Sequence, residues 1–135
     1  MRVLQFGFGG NLARNPHFPA NHIKNSIVYT GTHDNNTALG WFTKDATALQ
    51  KKNLFACLGR KVPAHQINWE FIKLALSSVA NLAIIPVQDI LGLGEAARMN
   101  RPAITRGNWQ WRLELGQLTP QISKKIAKLT QISRR

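Results

Sequence analysis

The chain has 135 residues, 44% of them hydrophobic, and one cysteine, proportions that suit a single domain with a buried core and are too small for a complete α/β barrel. They exclude an intramolecular disulfide and a cysteine-paired zinc site, and no apolar run approaches the ~20 residues that a bilayer span needs. The formal net charge of +12 invites a nucleic-acid reading, but the excess is uneven: residues 98–135 hold nine Lys or Arg against Glu114 alone, whereas residues 1–97 hold nine against five acids.

Met1 to Phe6 lacks the basic start, long apolar middle and small-residue cleavage site of an export signal. Arg2–Phe6, rich in Val, Leu and Phe, predicts a short buried strand that the glycines at 7, 9 and 10 end. Residues 7–25 show no periodicity but carry turn chemistry in Gly9-Gly10-Asn11, Asn15-Pro16 and Phe18-Pro19, and a loop of this length suggests a lid or a binding surface. Ser26–Thr30 is β-branched and aromatic, a second strand stopped by Gly31, and the polar cluster Thr32–Thr37 follows at once.

A helix is predicted from an N-cap near Asp45 through Leu49, Leu54, Phe55 and Leu58 to Gly59. A second, apolar on most faces and so buried, starts after Asn68 and runs through Phe71, Ile72, Leu74, Leu76, Val79 and Leu82. Ala83–Val87 predicts a third strand whose ladder Pro86 limits. Thr119-Pro120 starts a terminal amphipathic helix near 120–133, with Ile122, Ile126, Leu129 and Ile132 in one stripe and Lys124, Lys125 and Lys128 on a solvated face. This order is that of part of a (β/α) barrel, in which chemistry sits on the loops after the strands.

The pair His33-Asp34 follows a predicted strand, where a carboxylate can stabilise a cation or hold sugar hydroxyls and the imidazole can donate to the same ligand; a turn-capping Asp and an ordinary loop His fit the spacing as well. Asp89 follows another strand, as a second carboxylate of a glycoside-type pair or as a cap before Leu91-Gly92-Leu93-Gly94. Trp109 and Trp111, two apart beside Arg112, fall on one side of an extended segment and can stack on sugar rings or bases, or pack in a core. The four histidines, 17, 22, 33 and 65, lack metal-ligand spacing, and Gly92-Leu93-Gly94 is too short for a phosphate loop, so no cofactor is expected.

Taken together, Val3-Leu4-Gln5-Phe6, Tyr29-Thr30-Gly31-Thr32-His33-Asp34-Asn35, Ile85–Gly94, Arg98-Met99-Asn100-Arg101-Pro102 and Gly107–Arg112 resemble, in order and spacing, the end of the 4-alpha-glucanotransferase (amylomaltase, disproportionating enzyme) family. The chain departs from that pattern at Asn36, where Asp is usual, and at Ala103, where Gly commonly follows Pro. The resemblance implies the C-terminal part of a (β/α)8 TIM barrel over residues 1–135, its last three strands with their helices and loops. It implies transfer of α-1,4-glucan segments to glucose or another glucan by a retaining double displacement, with Asp34 as the carboxylate that stabilises the transition state and His33 and Asn100 as substrate contacts. The nucleophile and the acid/base of the family lie upstream of the matched motifs, so the expected partners are maltooligosaccharides and the missing N-terminal part of the barrel, with no nucleic acid and no membrane, in the cytoplasm or in the plastid stroma of a photosynthetic eukaryote. The alternatives are a small basic nucleic-acid-binding module and an inactive remnant.

Overall fold

The computed structural model describes residues 1–135 throughout. Three short strands, β1 (Arg2–Val3), β2 (Ile27–Tyr29) and β3 (Leu82–Ile84), form one parallel sheet in the order β1-β2-β3. Arg2 pairs with Val28 and Val3 with Tyr29, while Ile27, Val28 and Tyr29 pair with Leu82, Ala83 and Ile84. Only β2 is paired on both sides, so each outer strand keeps one unpaired edge. Since side chains alternate along a strand, Val28 and Ala83 turn towards the core, whereas Leu82 and Ile84 lie on the other face, 49% and 40% exposed.

The helices are α1 (Ala38–Gly40), α2 (Ala48–Leu58), α3 (Ile67–Leu76), α4 (Val87–Ile90) and α5 (Pro120–Ile132). The core lies between the sheet and α1–α3, where Phe8, Trp41 and Phe71 pack with ring centroids 5.3–6.1 Å apart, beside buried Leu4, Leu54 and Ile67. No helix is long and apolar enough to cross a membrane.

The strands are shorter than composition suggested. Leu4–Phe6 winds into a 3-10 turn closed by Gly7 N–H donating to Leu4 O, which carries Gln5 inward. At the third strand, Pro86 turns the chain into α4, so Val87 is helical. Asp45 caps no helix: it closes a π turn, Trp41–Asp45, and accepts from Asn36 Nδ2 at 3.1 Å. The helix start belongs to Thr47, whose hydroxyl accepts from Gln50 N while the Gln50 side chain accepts from Thr47 N, a reciprocal capping box. Gly59, at φ 69°, ends α2 as expected. The next helix starts at Ile67, a residue before Asn68, and stops at Leu76, which leaves Val79 62% exposed in the turn beyond.

Residues 7–25 work as a brace, not a lid. Asn15 Nδ2 donates to the carbonyls of Phe6 and Gly9, Asn21 Nδ2 to those of Leu12 and Asn15, and Phe18 packs on Phe8. His17 Nδ1 accepts from Val3 N at 3.0 Å. His22 bonds the carbonyl of His17 through Nε2 and the hydroxyl of Ser78 through Nδ1. Burial, and then the Arg2 charge, depress the pKa of His17; burial does the same for His22, opposed by its bond to the His17 carbonyl.

A depressed folded-state value means that the unfolded chain binds protons first as pH falls. The contribution is therefore complete above the unfolded value of about 6.5 and is lost as pH drops through the folded values. Urea midpoints should fall between roughly pH 7 and pH 5, and the slope should flatten when His17 and His22 are both replaced by Gln.

In α5, Thr119 Oγ1 accepts from Ile122 N, and Ile122, Ile126 and Leu129 lie half-buried. The lysines are not uniformly solvated. Lys125 Nζ sits 3.6 Å from the centroid of Trp69, and its pKa is lowered by burial and then by Lys73. After α5 the guanidinium of Arg135 donates to the carbonyl of Leu76, the last residue of α3, and to those of Ser78, Ala80 and Asn81 beyond it.

Candidate functional site

The site forms where the chain leaves β2. Asn35 Oδ1 accepts from both Thr32 N and Thr32 Oγ1, at 2.9 and 2.7 Å, which closes a tight turn. The turn lifts His33 and Asp34 out of the fold, their side chains 58% and 49% exposed. A Cβ at Gly31 would meet the Gln5 amide nitrogen, which passes over it to donate to Asn36 O, so a larger residue there would displace that bond.

A second loop, after α4, meets the first. Asn100 Nδ2 donates to Asp34 Oδ1 at 2.5 Å, and His33 Nε2 lies 3.4 Å from the same oxygen. Backbone ties hold the two loops in register: Asn100 N donates to His33 O, Arg98 Nη2 to Asp34 O at 2.7 Å, and Arg98 Nε to Asn100 O at 2.9 Å. Thus Asp34, His33 and Asn100 come together around one carboxylate oxygen. Oδ2 of Asp34 has no protein donor, and the carboxylate borders a cleft of about 390 Å³ lined also by Met1, Tyr29, Ile84 and Pro86. The Trp109 ring stacks on His33 with centroids 5.2 Å apart, and beyond this pair lies a smaller cavity of about 190 Å³.

A carboxylate with one oxygen fixed by an amide and the other open can offset positive charge on a bound ring and accept from its hydroxyls. It cannot by itself provide double displacement, which needs two carboxyls about 5 Å apart. Three of the other acids are engaged elsewhere: Glu70 pairs with Arg60 and Lys73, Glu95 with Arg101, and Asp45 accepts from Asn36.

Asp89 is buried, with both oxygens occupied by Thr30 and Ala38, so it is neither a second carboxylate of the cleft nor a cap of the loop that follows it. Burial raises its pKa, opposed by its bonds to the Thr30 hydroxyl and the Ala38 amide. The tryptophans also differ from expectation. Trp109 adopts a left-handed backbone, φ 62°, and Arg112 folds back on the carbonyls of Trp109 and Trp111, so the two indoles do not share one extended face and Trp109 alone joins the site. Arg98 was legible as a motif residue, but no spacing signal showed that it bridges the loops.

Residues 1–119 match the family model described as 4-alpha-glucanotransferase. The chain is 44% identical, over 98% of its length, to the chloroplastic/amyloplastic 4-alpha-glucanotransferase of rice and to the 4-alpha-glucanotransferase of Synechocystis, and 51% identical over 84% to the chloroplastic/amyloplastic enzyme of Arabidopsis thaliana. It spans 22%, 26% and 19% of those proteins. Its fold superimposes with a TM-score of 0.91 and 31% identity on an amylomaltase of Streptococcus agalactiae in complex with acarbose, covering the whole of this chain and 27% of that one.

Proposed function

We propose, since the chain belongs to the 4-alpha-glucanotransferase family, that residues 1–135 form the last three strands of a (β/α)8 barrel and supply its transition-state carboxylate. The parallel sheet with two unpaired edges and the uncovered Leu82/Ile84 face support the barrel. The observation that carries the functional reading is Asp34, which stands beyond the C-terminal end of β2, fixed by Asn100 and open at Oδ2.

In this reading Asp34 accepts from hydroxyls of the glucan ring and faces the positive charge that develops as the glycosidic bond breaks. His33, steadied by Trp109, donates to the same sugar, and Asn100 keeps the carboxylate turned into the cleft. An aspartate nucleophile and a glutamate acid/base from the remainder of the barrel complete retaining transfer between α-1,4-glucans. The amylomaltase complex with acarbose supports a saccharide in this cleft. The reaction is placed in the cytoplasm, or in the plastid stroma of a photosynthetic host. Part of the basic excess is engaged within the chain, at Lys125, Arg98, Arg112 and Arg135.

The test is maltotriose disproportionation, followed as glucose and longer maltodextrins, with the chain alone and with the separately expressed N-terminal part of the Synechocystis relative. Transfer only in the mixture is the expected result. Transfer by the chain alone would mean that its own residues include the nucleophile, and silence in both would overturn the reading.

A further inference from the structure

Asp89 does not line the cleft that Asp34 borders but lies in the wall of the smaller cavity beside His33 and Trp109, 1% exposed, on a helix of a single turn that it does not cap for itself. Its two oxygens reach a different part of the chain. Oδ2 accepts from Thr30 Oγ1 at 2.5 Å and Oδ1 from Ala38 N at 2.7 Å. Thr30 precedes Asp34, and Ala38 follows it, at equal distance along the sequence. One carboxylate, delivered from the segment after β3, thus holds both ends of the loop whose apex bears His33 and Asp34.

Its own place is fixed in turn: Asn68 Nδ2, from α3, donates to Asp89 O at 2.8 Å. Gln5, from the segment after β1, adds a third fastening at Asn36 O, 2.7 Å. The loop is therefore gripped by groups that follow the two neighbouring strands. A carboxyl at such depth is costly unless its oxygens are satisfied, and a space-filling role would be served as well by an apolar side chain. What an apolar residue lacks is two acceptors aimed at two separate donors.

We propose that Asp89 is a positioning residue for the transfer reaction: by tying Thr30 to Ala38 it sets where Asp34 stands relative to the substrate. The proposal rests on the functional reading above, and its first test does not depend on that reading. Asp89→Asn presents an amide in place of one acceptor, so the Thr30 or the Ala38 tie is lost. Thr30→Val removes one tie without touching Asp89, and Thr30→Ser restores the hydroxyl.

Hydrogen exchange on the full chain should show the amides of residues 32–38 opening about tenfold more readily in Asp89→Asn and Thr30→Val, with α2 and α3 unchanged and Thr30→Ser close to the parent. Unchanged exchange in the loop, an equal rise in α3, or Thr30→Ser behaving like Thr30→Val would overturn the tie. In the reconstituted barrel both disruptive variants should lower kcat by up to about 100-fold, the penalty for a small misplacement of a reacting group, with little change in KM. A full kcat alongside a loosened loop would overturn the positioning role, whereas a parent assembly without transfer activity would condemn the functional reading and leave the exchange result to decide the tie.

Discussion

Asp34→Asn should lower the transfer rate of the reconstituted barrel by about 10²- to 10³-fold, the range seen when one preorganised electrostatic group is removed from a transition state. The change is nearly isosteric. An asparagine oxygen can still accept from Asn100 Nδ2, so the contact that joins the two loops survives, and at 49% exposure the side chain contributes little to the core. What disappears is the negative charge at the open oxygen. The loss should therefore fall on kcat, with KM moving much less. Initial rates of glucose release from maltotriose decide the matter: a variant within tenfold of the parent would reduce Asp34 to an ordinary sugar contact.

Phe71→Ala carries the largest expected cost in stability. Phe71 is fully buried and touches the rings of both Phe8 and Trp41, at 5.8 and 5.3 Å between centroids, so truncation opens a cavity where the sheet, the brace and α1 converge. Such a change costs about 3–5 kcal/mol, a large share of what a domain of this size possesses. Urea unfolding should show the midpoint falling at a nearly constant slope. Leu115→Ala, at a residue wholly exposed to solvent, is the control and should stay within about 0.5 kcal/mol of the parent. A loss below 1 kcal/mol at Phe71 would mean that these rings do not pack together.

The elements that were legible in the sequence are those whose signal is local. Thr119-Pro120 and Gly59 marked helix ends correctly because capping depends on a few adjacent residues. Thr47 and Gln50 carry a capping box that is just as local, two residues beyond the expected cap Asp45, which a π turn claims instead. Leu4–Phe6 and Val87 are apolar enough for a strand, but the first is captured by a turn in which distant Asn36 holds Gln5, and the second is drawn into α4 by the adjacent Pro86.

The candidate site shows the same division. His33 and Asp34 are candidates because they follow a strand, and Asn100, which the fold brings to Asp34, is reached only through resemblance, since nothing local connects it to a carboxylate far upstream in the chain. Asp89 was misread for the complementary reason: its partners, Thr30 and Ala38, are remote in sequence, and a carboxylate before a glycine-rich stretch looks like a cap until the fold brings other donors to it.

The sheet has one more consequence. All three strands point the same way and neither outer edge carries a further strand, although His17 already occupies the Val3 amide of β1, so β3 of one molecule matches β1 of the next in direction, head to tail. A contact of that kind leaves a fresh β3 and a fresh β1 at the two ends of every assembly. Growth stops only if the accumulated rotation closes a ring; otherwise it runs on as a polymer. Light scattering that climbs with concentration, and is suppressed by adding the N-terminal barrel segment, would be the visible mark of that arithmetic.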